Sequence, residues 1–188
     1  ILFHSKAEIG WFIQRVLRIP ENILNKPDVL TDDEFEVIKL HPVHSFNMLV
    51  ETGERDKDIL LAVRGHHEKT NGTGYPDKLD FGKISLYARI TTISDIYDAM
   101  VSKRVYKDNQ SPFVVLDEFS KGRFSNLDTS LVNTFLRNMP NELLGKKAIL
   151  SDGRIGVVTY INPSNYSYPL VRVGEEVIVT SEKLKCLS

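Results

Sequence analysis

Residues 64–76, RGHHEKTNGTGYP, set two histidines side by side and run straight into a glycine-rich loop that closes on Gly-Tyr-Pro. The text before them, RDKDILLAVRG, spaces Ile59 and Val63 as a helix does, so His66 and His67 fall at a helix end and the loop terminates it. Adjacent side chains on a helix diverge by about 100°. Both rings therefore cannot face one packed neighbour, but they can reach two neighbouring metal ions, or one ion and a substrate oxygen. A single histidine on a helix is more often a packing residue than a ligand, and His44 is read that way.

Upstream of the doublet, TDDEFEVIKL places Glu34 three residues after Thr31, a capping box that starts a helix with Phe35 and Ile38 on its apolar face. Pro42 ends that helix and suits the first turn of a new one, which leaves His41 at the junction. Downstream, SLYARITTISDIYDAMVS is strongly periodic, with Leu86, Ile90, Ile93, Tyr97 and Met100 on one stripe and Asp95 among small polar neighbours. SPFVVLDEFSKG and LDTSLVNTFLRN read as two more short helices. From Lys146 the text turns to β-branched runs, an Asp152-Gly153 turn and an Asn/Pro/Ser loop, the pattern of antiparallel strands. The expected fold class is mainly α, a helical bundle over residues 1–145 with a small antiparallel β module, residues 146–188, packed on it.

Composition narrows the partners. Lys+Arg 24 against Asp+Glu 25 leaves a formal charge of −1, so no basic field draws a nucleic acid polymer. The single cysteine, Cys186, excludes an internal disulfide and fits a reducing, cytoplasmic compartment. No apolar run approaches the roughly 18 residues that span a bilayer, and the first residues lack the order of a signal peptide.

His41, His66, His67 and Asp95 together make a candidate ligand set, because neutral imidazole and carboxylate suit iron, manganese, zinc or nickel. An ion held this way acidifies bound water to a hydroxide nucleophile. Arg104 and Lys107, just past the Asp95 helix, have two readings: they clamp a phosphate, or they complement the helix C-terminus. The Gly72–Pro76 loop by itself reads as a chain reversal.

Four stretches taken together resemble the HD-GYP subgroup of the HD metal-dependent phosphohydrolases: ENILNKPDVLTDDEFEVIKLHP, HHEKTNGTGYP, ISDIYDAMVSKRVYK and the closing SDGRIGVVTYINP…LVRVG. The resemblance runs from about residue 18 to the end. It implies a helical HD-type bundle around a two- or three-metal site, a divalent transition metal with iron or manganese first, and hydrolysis of cyclic di-GMP by a metal-activated hydroxide. It also implies that His41, His66, His67 and Asp95 are ligands and that Arg104 and Lys107 contact substrate phosphates. Gly74, Tyr75 and Pro76 would shape the substrate pocket and offer a docking point for a diguanylate cyclase domain.

The chain departs from the family pattern at one place. Where a His-Asp pair is expected before IPENILNKP, residues 12–20 read FIQRVLRIP. Three accounts are open: AEIG at 7–10 is a relic of the dyad, His4 in FHS is an earlier histidine ligand brought close, or a segment is missing. The alternative function is accordingly a catalytically impaired domain that binds a nucleotide or a protein. A further reading takes the β module as a peptide or RNA adaptor.

Overall fold

Thr31 and Glu34 form the capping box that the sequence predicts. Thr31 N donates to Glu34 Oε2 over 2.7 Å and Glu34 N donates to Thr31 Oγ1 over 3.3 Å, which satisfies two of the donors that a helix start leaves open. The computed structural model describes residues 19–24, 26, 28–102 and 110–187. It is mainly helical, with a small four-stranded antiparallel sheet at the C-terminal end, as the sequence leads one to expect. The residues form two compact units that meet in the sequence at Ser94 and Asp95.

In the first unit, α1 (Glu21–Leu24) and α2 (Asp32–Ile38) lead into α3 (His41–Glu51) and α4 (Lys57–Gly65), which pack on each other. Pro42 sits in the first turn of α3, where its missing N–H costs nothing, so His41 stands at the helix mouth. Asp56 caps α4 by accepting from Asp58 N and Ile59 N. A loop and a short 3-10 turn (Phe81–Lys83) then lead to α5 (Leu86–Val101), which runs across the Ser94/Asp95 boundary.

The buried face of α5 differs from the expected stripe. Leu86 and Ile90 are exposed, while Ala88, Thr92, Ile93 and Tyr97 are buried. The reason is close approach: a Cβ at Gly65 would lie 3.1 Å from the Ala88 Cβ, so the end of α4 meets α5 through its small residues. Apolar periodicity favours large side chains, so it places Ile93 and Tyr97 on the buried face but passes over Ala88 and Thr92.

In the second unit, α6 (Pro112–Ser120) and α7 (Thr129–Leu143) accompany β1 (Lys147–Ile149), β2 (Ile155–Asn162), β3 (Asn165–Val173) and β4 (Glu176–Val179), in sheet order β1-β2-β3-β4. Asp152-Gly153 turns the chain between β1 and β2, with Gly153 at φ 86°. Helix α6 packs on β3. Phe113, Val115, Leu116 and Phe119 of α6 are buried, as are Ala148, Leu150, Val158 and Val171 of the sheet region, with Asp117 and Thr180 as the buried polar residues among those described. Phe119 also gathers Phe124 and Phe135 at ring separations of 4.5 and 5.4 Å.

Helix α7 runs through Pro140, further than its sequence pattern suggests. Proline has no N–H to give the carbonyl four residues back. That carbonyl, Leu136 O, instead accepts from the buried Tyr166 hydroxyl of β3 over 3.3 Å. Among the described residues, no helix is long and apolar enough to cross a membrane.

Candidate metal centre

Helix α4 stops at Gly65, and His66 is its C-cap at φ −68°, ψ −7°. His67 lies beyond the helix, so the 100° divergence of helical neighbours no longer applies. Both rings turn to the same point. His66 Nε2 and His67 Nε2 each lie 3.1 Å from His41 Nε2, and the three ligand atoms are within 4.8 Å of one another. The sequence predicts the doublet at the helix end, its rings diverging as helical neighbours do; the helix instead stops before His67, and both rings approach His41.

Second hydrogen bonds fix which nitrogen faces inward. His41 Nδ1 donates to Ile38 O over 2.8 Å, and His66 Nδ1 donates to Val63 O over 2.7 Å. A neutral ring that donates through Nδ1 carries its lone pair on Nε2. Burial pushes the His66 imidazole below its ordinary range, and His67 is pushed down to about 2 by burial first and by the neighbouring His66 and His41 rings second. The imidazolium that would turn the 3.1 Å contact between His41 and His66 into a hydrogen bond is thus disfavoured. Two nitrogen lone pairs aimed at each other repel unless a cation sits between them. Two nitrogens about 2.1 Å from one ion and about 95° apart are themselves about 3.1 Å apart. The donor set fits a divalent metal.

The surroundings hold these rings in place. Thr92 Oγ1, on α5, lies 2.8 Å from His66 O and from Ala88 O and shares its one proton between them. The Gly-Tyr-Pro loop folds back over the cluster: Tyr75 N donates to His67 O over 3.2 Å, and the Tyr75 ring stacks on His67 at 4.7 Å and 30°. Tyr75 also meets Phe35 and His41 edge-on at 6.5 and 6.4 Å. Gly74 has no space for a side chain, since a Cβ there would lie 2.4 Å from Lys69 N, 2.5 Å from Glu68 Cα and 2.6 Å from His67 O. Pro76 follows Tyr75 through a cis peptide bond.

Two acidic residues at the loop do work that sequence reasoning missed. Glu68 is 3% exposed and accepts from Asp77 N at 2.7 Å and from Leu79 N at 2.9 Å. Asp77 pairs through both oxygens with Arg64, each at 2.7 Å, which holds its carboxyl below the usual carboxylate range. The available signal was a glutamate directly after the doublet and a turn of the chain that needs its amides satisfied.

His41, His66 and His67 thus come together, with Gly74, Tyr75 and Pro76 beside them. Asp95 lies on α5, three residues beyond Thr92. His44 is half-buried on α3 and is not part of the cluster. Arg104, Lys107, His4, AEIG at 7–10 and residues 12–18 of the stretch in place of the expected His-Asp pair all lie outside the described residues.

Comparison with known proteins gives the family. Residues 13–131 match the HD domain family. A cyclic di-GMP phosphodiesterase of Pseudomonas aeruginosa is 31% identical over 157 residues, 84% of this chain and 38% of that protein. The cyclic di-GMP phosphodiesterase response regulator RpfG of Xanthomonas campestris is 37% identical over 125 residues, 64% of this chain and 32% of the relative. A 3'3'-cGAMP-specific phosphodiesterase of Vibrio cholerae is 30% identical over 135 residues, 71% of this chain and 26% of its own length. The chain spans about a third of the length of these curated relatives. Since the match covers well over half of the chain and the histidine doublet closes on Gly-Tyr-Pro, the chain belongs to the HD domain family, in its HD-GYP subgroup.

Proposed function

We propose that this chain is a metal-dependent phosphodiesterase that hydrolyses cyclic di-GMP. One observation carries the reading: in a chain of this family, the ring nitrogens of His66 and His67 each lie 3.1 Å from that of His41, all three within 4.8 Å of one another, beneath a loop that stacks Tyr75 on His67. When bound, a divalent ion supplies Lewis acidity for a phosphoryl oxygen and acidifies water. The residues around it bind, orient and exclude solvent.

His41, His66 and His67 hold the ion, and Asp95 is the carboxylate we assign to complete the set. Iron or manganese is preferred. Imidazole nitrogens together with a carboxylate suit iron and manganese. Arg104 and Lys107 neutralise the phosphate oxygens as charge builds on them. Gly74, Tyr75 and Pro76 form one wall of the pocket, and the exposed outer side of the same loop is where a diguanylate cyclase domain would dock. Cys186 is buried and forms no disulfide among the described residues, in keeping with the cytoplasmic setting we assign.

The test is elemental analysis of the purified chain followed by incubation with cyclic di-GMP and, in parallel, 3'3'-cGAMP, with products separated by chromatography. Bound transition metal and release of linear dinucleotide or GMP are expected from cyclic di-GMP. Absence of both metal and product at high enzyme concentration ends the reading; turnover of 3'3'-cGAMP alone moves the substrate to the hybrid dinucleotide.

A further inference from the structure

We infer that Glu68, which completes the His-His-Glu triplet, is a positioning residue for the Gly-Tyr-Pro loop and not a metal ligand. Its effect on catalysis rests on the phosphodiesterase reading above; its effect on the loop does not. Both carboxylate oxygens are committed to the loop, Oε1 accepting from Asp77 N and Oε2 from Leu79 N. At 3% exposure these two bonds satisfy a carboxyl group that is otherwise cut off from water. Asp77 is gripped twice, its amide by Glu68 and its side chain by Arg64.

The grip is relayed to the cluster over very few atoms. Between Glu68 and Asp77 the chain must return past its own backbone at Gly74, and that return sets Tyr75 flat against His67. The loop therefore has one fixed seat over the histidines, and the pin of that seat is next in sequence to the rings it covers. A glutamine at 68 fills nearly the same volume but has one acceptor, so its amide N–H opposes a backbone N–H. A buried donor left without an acceptor is costly, and the loop must give way.

Glu68→Gln is the test, read three ways. Hydrogen exchange over residues 74–80 should quicken by about tenfold or more, while residues 41–67 keep their protection. Manganese bound per chain should stay at the level of the unsubstituted protein. KM for cyclic di-GMP should rise about tenfold while turnover of the small diester bis(4-nitrophenyl) phosphate, which is too short to need the loop wall, changes less than about twofold. Asp77→Asn supplies a second arm if Glu68→Gln folds poorly: it weakens the outer pair, keeps the amide clamp, and should quicken loop exchange by a smaller factor.

Loss of manganese in Glu68→Gln would make Glu68 a ligand and overturn the inference. Unchanged loop exchange would overturn it as well, as would a parallel fall in both activities with protection lost throughout 41–80, the sign of a general structural defect. If the unsubstituted protein turns over no cyclic dinucleotide, the phosphodiesterase reading fails, and the exchange and manganese measurements still decide the role of Glu68.

Discussion

A methyl group at position 74 would meet backbone atoms on three sides, none of which is the far end of a flexible side chain. Glycine is required there by space, not by an unusual φ. Gly74→Ala should therefore displace the loop and cost about 1 to 3 kcal/mol, the range for overpacking a site that cannot yield. Urea denaturation checks the stability, and elemental analysis should find the metal content retained, because no ligand is altered. A second consequence at this scale concerns protons. His67 and His66 have folded-state affinities for protons below those of the unfolded chain, His67 titrating at about 2 against an ordinary value of 6.5. The unfolded state then binds more protons between those limits. Stability of the metal-free protein is fully present above about pH 6.5 and falls as the pH drops below it, by up to about 1.4 kcal/mol per pH unit for each such ring. Urea midpoints of chelated protein at pH 7.5 and 5.5 should differ in that direction, and a midpoint that rises on acidification would refute the burial of these rings.

Helices and strands were legible wherever a local rule decided them. The Thr31 box, Pro42 at the mouth of α3 and the Asp152-Gly153 turn each have a mechanism confined to a few residues. What escaped depended on partners distant in sequence. Ala88 and Thr92 form the buried face of α5 only because Gly65 and His66 approach them. His41, His66 and His67 were recognisable by type and spacing, but their convergence on one point needed the helix to stop at Gly65. Helix α7 shows the same principle: it tolerates Pro140 because a strand residue 30 positions after Leu136 supplies the missing donor. Tyr166→Phe should leave Leu136 O buried without that donor and cost about 1 to 3 kcal/mol. The cause can be isolated with Pro140→Ala, which restores an N–H to the helix. In that background Tyr166→Phe should cost at least about 1 kcal/mol less, read from urea curves in a double-mutant cycle. Equal costs in both backgrounds would mean that the hydroxyl serves some other end.

At the scale of the whole chain, the two units bury different kinds of groups. The second unit buries mostly apolar side chains, with Asp117 and Thr180 the buried polar residues among those described, whereas the buried set around α3 and α4 includes His41, Ser45, His66 and Glu68. Polar groups taken out of water must be satisfied, and the His41 and His66 rings, each donating through Nδ1, point their Nε2 lone pairs at each other. A divalent ion relieves that repulsion in the folded state, and the unfolded chain offers no preformed site to compete, so metal affinity becomes folding free energy. Free metal at 100 times its dissociation constant should add about 2.7 kcal/mol to stability. Thermal unfolding followed with chelator and then with excess manganese should show a clear upward shift of the midpoint, growing with the logarithm of the free metal concentration. His66→Ala removes one of the three nitrogens and the ring that Thr92 helps to seat, so its midpoint should respond to manganese weakly or not at all. A full metal response in His66→Ala would place the ion elsewhere in the molecule and detach the histidine doublet from the chemistry.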